Sequence, residues 1–272
     1  QVDKYAVKYH FLGWLVKAFF LAFMFPYLMN NTNIIITNSF TGPGAHFGRF
    51  YDYMYNLIFA IDLAFVTAGY LLTLKIFDTH IRTAEPTFLG WMFALYCYEP
   101  FWSALASPKY LNYEDGYYWG HLFAGVQHVY VLWGSIILLL FLFYTLASVA
   151  FGMRFSNLTN RGIITNGPYR IMKHPAYVSK NIAWWLISVP FISAAGPAAA
   201  IKHCLLLFGL NLVYYLRALT EERHLSLDPT YVQYATAMNN KGVFRGLYRV
   251  LPFLKYDVNR YISEGKIKKF LF

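Results

Sequence analysis

The run AGVQHVYVLWGSIILLLFLFYTLASVA, residues 124–150, holds no Asp, Glu, Lys or Arg. About 20 apolar residues in a helix cross the ~30 Å hydrocarbon core of a bilayer, where lipid offers backbone groups no hydrogen-bond partners. The run therefore predicts a membrane-spanning helix. Apolar stretches at roughly 9–29, 54–76, 87–106, 179–195 and 199–216 repeat the signal and bring the expected number of spans to about six. The last two are joined by SAAGPAA, residues 193–199, in which Gly196 and Pro197 read as a tight turn. A C-terminal helical hairpin is expected there.

Composition agrees. Of the 272 residues 58% are hydrophobic and 13% charged, where a soluble domain carries about a quarter charged. The expected fold class is an all-α, polytopic integral membrane protein. No repeat, linker or shift of composition divides the chain, so residues 1–272 are read as one membrane domain, with spans of unassigned role in 1–123. No secretory leader is expected. Cys97 and Cys204 fall within apolar segments and give no case for a disulfide or metal site.

Lysines and arginines are unevenly spread over the loops. With a cytoplasmic N-terminus, the cytoplasmic side gathers the N-terminal lysines, Lys75, Arg82, the 154–180 loop and the chain from Arg217 onward, leaving Arg49, Lys109 and Lys202 opposite. Both termini are then cytoplasmic, in a bacterial inner membrane or the endoplasmic reticulum. The net charge of +10 is accounted for by attraction to anionic membrane lipids. Nucleic acid is not an expected partner, since no basic domain or recognition motif carries such binding.

Two polar clusters interrupt the apolar pattern. GPYRIMKHPAYVSKN, residues 167–181, precedes the hairpin, and RALTEERHLSLDPTYVQY, residues 217–234, follows it. The hairpin returns both to one membrane face. Scattered lysines would satisfy a charge bias, whereas His174, Tyr177, Asn181, Arg217, Glu221, Glu222, Tyr231 and Tyr234 together suit a polar ligand. Arg217 and Glu221 are four apart and share a helical face.

At these residues the chain resembles the isoprenylcysteine carboxyl methyltransferase and phospholipid methyltransferase group, whose members carry GPY…RHPxYxG, a helical hairpin, RxxxEExxL and YxxY. The matching positions are Gly167, Pro168 and Tyr169, then KHPAY at 173–177, then Arg217, Glu221, Glu222 and Leu225, then Tyr231 and Tyr234. The methyltransferase-like region covers roughly 150–245. Lys173 replaces the usual Arg, losing a planar bidentate donor, and Ser179 replaces the usual Gly.

The resemblance implies S-adenosylmethionine as cofactor, with S-adenosylhomocysteine as product, and a lipid-like or prenylated acceptor entering from the bilayer. Carried over by position, cofactor contacts are expected from Arg161, Gly162, Ile163, Ile164, Tyr169, His174, Pro175, Ala176, Tyr177 and Glu221, at cytoplasmic segments, and an acceptor contact from Arg217. A carboxylate at Glu221 suits ribose hydroxyls. A carboxylate acceptor meeting a sulfonium needs no base; an amine acceptor would need a proton path, with Glu222 or His174 nearest. No metal site is expected, because the histidines are dispersed.

Plainer readings stand beside these. His174 before Pro175 reads as a helix cap, Tyr177, Tyr231 and Tyr234 as interfacial aromatics, and Lys180 and Lys202 as snorkelling anchors. Asp62 and Glu99 are costly in hydrocarbon and should face the bundle interior, lining an acceptor pocket or pairing with a donor such as His128. Residues 110–121 read as an exposed loop, and KIKKFLF, 266–272, as a surface anchor. Two rival functions remain: a nicotinamide-dependent sterol-type reductase, which shares an RHPxY hairpin, and a transporter, which would spread polar residues along several spans.

Overall fold

The structure, a computed structural model, describes residues 4–37, 46–106, 110–114 and 117–262. The expected anchor at 266–272 lies outside the described residues, as do residues 115 and 116 of the expected loop. Eleven helices are present among the described residues: α1 (Lys4–Thr37), α2 (Phe47–Leu71), α3 (Phe88–Leu95), α4 (Phe101–Leu105), α5 (Trp119–Phe123), α6 (Gln127–Phe151), α7 (Pro175–Ser188), α8 (Pro197–Leu225), α9 (Pro229–Lys241), α10 (Leu247–Val250) and α11 (Val258–Ile262). Their one sheet is a two-residue antiparallel pair, β1 (Thr83–Ala84) with β2 (Thr159–Asn160).

Four of the helices, α1, α2, α6 and α8, are long and apolar enough to cross a membrane. Residues 87–106, read as one span, instead form α3 and α4. Pro100 lacks an N–H and its ring crowds the carbonyl four residues back, which kinks or breaks a helix; the chain breaks here, whereas α1 continues past Pro26. Glu99 then closes the first turn of α4, accepting from the Ser103 hydroxyl at 2.6 Å and the Ser103 N–H at 3.3 Å. The segment read as the fifth span forms the 14-residue α7, which Pro175 starts at its first turn and which ends at Val189, in the left-handed region (φ 44°).

Helix α2 packs between α1 and α6. Phe47 lies against Gly134, the Thr145 hydroxyl donates to the Ile58 carbonyl at 3.2 Å, and Gly69 abuts Phe155, so α2 and α6 run parallel. The chain between them therefore returns to the opposite end of the bundle. On the other side, the Asn211 amide donates to Asn181 Oδ1 at 2.5 Å and Trp185 Nε1 to Asn211 Oδ1 at 2.7 Å, holding α7 antiparallel to α8.

One buried cation ties the polar ends of these helices together. Arg161 is 2% exposed, and its guanidinium donates to the carbonyls of Thr79 at 2.6 Å, Gly69 at 2.8 Å and Phe155 at 2.7 Å. The β1–β2 pair adds backbone bonds between the same two loops, including Arg82 N–H to the Asn160 carbonyl at 2.9 Å. Loops that the charge bias places on one face are thus joined to each other. Burial lowers the Arg161 pKa to about 10, so the group stays charged at neutral pH.

Asp62, buried in α2, accepts from the Tyr144 hydroxyl at 3.2 Å. His128 is exposed, so the expected alternative partner is replaced by a tyrosine of the parallel helix α6. Lys202 is exposed, as an anchor should be.

Candidate active site

The second polar cluster begins inside α8 rather than after it. Residues 217–225 are mostly good helix formers, and α8 runs unbroken to Leu225, which carries Arg217, Glu221 and Glu222 beyond the apolar part of the helix on a rigid rod. Asp228 then caps α9, accepting from the Thr230 N–H at 2.9 Å, with Pro229 at the first helical position. Against this rod lies the GPY segment, a 3₁₀ turn over Gly167–Arg170. Gly167 has φ 54° and a Cβ there would sit 3.3 Å from Ala150, which explains the glycine of the motif. Tyr234 of α9 pins the turn by donating to the Tyr169 carbonyl at 2.8 Å.

Each glutamate of the pair has its own set of partners. Glu221 accepts from the Tyr177 hydroxyl at 2.5 Å. Glu222 is 4% exposed. Its Oε1 takes Lys173 Nζ at 2.7 Å and His174 Nε2 at 3.0 Å, and its Oε2 takes the Tyr261 hydroxyl at 3.1 Å. Burial and the adjoining Glu222 carboxylate raise the Tyr261 phenol above its ordinary range, so it remains a donor. Lys173 also lies 5.4 Å from the Tyr256 ring centre. His174 does not cap α7 with its side chain: the imidazole bonds Glu222 and stacks parallel on Tyr177, with ring centres 5.4 Å apart. The Ser179 hydroxyl bonds back to the Pro175 carbonyl at 2.8 Å, so this departure from the motif is absorbed within α7.

Arg217 is 6% exposed and its guanidinium lies between two rings, 4.9 Å from the centre of Tyr177 and 5.1 Å from that of Tyr98. It donates to Asn157 Oδ1 at 2.6 Å and approaches the Tyr98 hydroxyl at 3.3 Å. Asn157 is in turn fixed by the Tyr70 hydroxyl, which accepts from its backbone N–H at 2.8 Å and its amide at 2.9 Å. The break between α3 and α4 has a use here, because it places Tyr98 beside Arg217. Sequence reasoning missed Tyr70, Tyr98 and Asn157, which lie far from the motif and belong to no local pattern.

Two adjoining cavities open on these groups. Arg161, Gly162, Ile163, Ile164, Tyr169, His174 and Glu221 all line the first, together with Thr159 and Tyr231. Tyr169, His174 and Glu221 also line the second, with Ala176, Tyr177, Lys180 and Arg217. Of the expected cofactor residues only Pro175 lines neither; it is fully buried as the first residue of α7. Arg161 reaches the cavity while spending Nε and Nη1 on carbonyls, and its Nη2 is buried without a hydrogen-bond partner. Gly162 permits close approach: its φ is 107°, and a Cβ would meet the Arg82 and Arg154 guanidinium nitrogens at 3.4 and 3.5 Å. Burial, and the nearby Glu221 carboxylate, push the Tyr169 phenol well above its ordinary range.

Two side-chain hydroxyls at the first cavity, Thr159 Oγ1 and Tyr231 Oη, are buried without a hydrogen-bond partner. Folded proteins rarely leave such groups unpaired, so the cavity suits a ligand rich in hydroxyls or ring nitrogens. A third feature is an apolar groove lined by Val178, Ile182, Leu219, Phe244, Leu247 and Leu254. It shares Lys173, His174, Tyr177 and Tyr214 with the second cavity, and Glu222 faces it rather than either cavity. Among the described residues no cluster of His, Cys, Asp and Glu could hold a metal ion.

Lys180 departs from its expected role. Instead of reaching toward lipid headgroups, its ammonium lies over the rings of Trp184, Tyr144 and Tyr214, at 5.2, 5.7 and 5.9 Å from their centres. Tyr177 and Trp184 are respectively three residues before and four after it, so the three share the helical face turned inward.

Comparison with known proteins gives one family. Residues 128–227 match the family model of the isoprenylcysteine carboxyl methyltransferase (ICMT) family, the group that the motif residues resemble. The matched region runs from α6 through α8 and holds most of the lining of both cavities. No curated protein and no solved structure matches the chain.

Proposed function

We propose, from the family match and the two-cavity site together, that the chain is an integral membrane methyltransferase using S-adenosylmethionine to methylate the carboxylate of a lipid-like or prenylated acceptor. The observation that carries the reading is the pairing of cavities across α8: one with a carboxylate and two unspent hydroxyls, the other with a buried, aromatic-clamped arginine. Glu221, Thr159, Tyr231 and the backbone of Gly162–Ile164 are the groups that would hold the cofactor. Glu221 suits ribose hydroxyls, and the two hydroxyls gain the partners they lack.

S-adenosylmethionine supplies a methyl group on a positively charged sulfur, whose transfer to a carboxylate oxygen breaks the C–S bond, leaves the bonding pair on sulfur and moves no proton. The protein's work is therefore positioning and exclusion of water. Arg217, fixed by Asn157 and by two rings, orients the acceptor carboxylate. The phenol walls of Tyr98, Tyr169 and Tyr177 exclude solvent. Glu222, carrying three donors, braces the start of α7 against α8 as a positioning residue. The apolar groove beside Tyr177 and Tyr214 receives the acceptor tail. In the membrane, the α3–α4 segment and α7 complete six crossings, and the site faces the cytoplasm with both termini, in accord with the loop charges.

Excess S-adenosylhomocysteine should raise the melting temperature of the detergent-solubilised protein. A ligand at a hundredfold over its Kd adds about 2.7 kcal/mol. NADPH should leave the transition unmoved. Stabilisation by NADPH and none by S-adenosylhomocysteine would replace the methyltransferase reading with the reductase one.

A further inference from the structure

The second cavity holds two cations that lack an acid partner. Arg217 is bonded to the neutral oxygens of Asn157 and Tyr98. Lys180 makes no hydrogen bond or ion pair among the described residues and rests only on the rings of Tyr144, Trp184 and Tyr214. An ammonium carries three donors, and ring contacts of this kind recover only part of what water gave it. Lys173, which lines the same cavity, shows the contrast: it has the Glu222 carboxylate at 2.7 Å. Of the nearby acids, Asp62 accepts from the Tyr144 hydroxyl through Oδ2, leaves Oδ1 without a hydrogen-bond partner and forms no ion pair with Lys180, and Glu221 accepts from Tyr177. A cavity lined by Lys173, Lys180 and Arg217 against the single carboxylate of Glu221 disfavours an ammonium and favours an anion.

We propose that Lys180 is a second recognition cation, which with Arg217 holds the anionic headgroup of the acceptor and makes the enzyme selective for acidic over amine or neutral amphiphiles. The inference rests on the methyltransferase reading and deepens it by naming the residue that reads the charge of the acceptor. The headgroup enters a chamber lined by Tyr98, Tyr144, Lys180, Tyr214 and Arg217, while the tail keeps to the adjoining groove. Lys180 makes no hydrogen bond or ion pair among the described residues, so exchanging it for an uncharged residue of similar length removes the charge and its contacts with the rings of Tyr144, Trp184 and Tyr214 and breaks no polar bond of the fold.

The test uses the full-length protein in lipid nanodiscs saturated with S-adenosylhomocysteine. Binding is measured for N-acetyl-S-farnesylcysteine, for its carboxamide, and for a farnesyl-chain amine. The wild type should prefer the acid over the carboxamide by about tenfold or more and bind the amine worst. Lys180→Met should lose most of that preference with the carboxamide affinity unchanged, and Lys180→Arg should keep it. All three proteins should bind S-adenosylhomocysteine equally. The inference is overturned by a wild type without preference for the acid, or by a Lys180→Met protein that retains it. Failure of the wild type to bind S-adenosylhomocysteine would instead sink the methyltransferase reading, and the headgroup preference would then be measured on the cofactor-free protein.

Discussion

Glu221→Gln should weaken S-adenosylhomocysteine binding by about ten- to a hundredfold, with little change in stability. The substitution is isosteric, and a glutamine oxygen still accepts from the Tyr177 hydroxyl that lies 2.5 Å from Glu221. What it removes is the charge. Hydrogen bonds to a charged group are worth roughly 1.5–3 kcal/mol, which sets the expected loss in affinity. Glu222→Gln makes the instructive comparison, because its carboxylate serves Lys173, His174 and Tyr261 inside the protein. Taking the charge from that buried cluster leaves Lys173 uncompensated, so its cost should appear as a lower melting temperature. Calorimetry with S-adenosylhomocysteine and thermal unfolding of both variants separates the roles. Equal loss of affinity without loss of stability in both would show that the two neighbours act alike, against the geometry.

Arg217→Lys should slow turnover by about ten- to a hundredfold while S-adenosylhomocysteine binding stays near the wild-type value. Lysine keeps the positive charge but not the planar fork that lies between Tyr98 and Tyr177 and reaches Asn157. A displacement on the order of 1 Å at a reacting group costs about this factor. The conservative exchange is the sharper probe, since Arg217→Ala would also open a cavity between two rings and strand Asn157. Single-turnover rates at saturating cofactor, set beside the cofactor Kd, decide the matter. Unchanged single-turnover rates in Arg217→Lys would remove the guanidinium from acceptor positioning.

Much of the candidate site was legible because its residues sit in two short stretches on either side of one turn. Tyr169, His174, Tyr177, Arg217 and Glu221 are close in sequence to their motif neighbours, and the antiparallel α7 and α8 bring the stretches together. Hydropathy found the four long helices for an equally local reason. It read residues 87–106 as one span because an apolar average ignores a single proline, and the segment breaks into α3 and α4 at Pro100, whereas α1 continues past Pro26. Lys180 was misjudged from its residue type, whereas the helical spacing of Tyr177, Lys180 and Trp184 already placed it on an aromatic face. The partners of Arg217 had no local signal at all. Asn157 is 60 residues away and Tyr98 is 119, and only the packing of α2, the α3–α4 break and β2 against α8 brings them into reach. The same holds for Arg161, whose partners on α2 and the following loop lie 92 and 82 residues back.

The claim that carries the account is methyl transfer to a carboxylate, and the bond formed identifies it. Purified protein in nanodiscs is incubated with S-adenosylmethionine labelled in its methyl group and with N-acetyl-S-farnesylcysteine, and the organic extract is treated with mild base. A methyl ester hydrolyses and releases its label as volatile methanol, whereas a methyl group on nitrogen or carbon stays with the lipid. Carboxylate methylation predicts cofactor-dependent label in the extract that base converts to methanol, reduced by about ten- to a hundredfold in Arg217→Lys. Label that resists base, or an extract that takes up none, would contradict it.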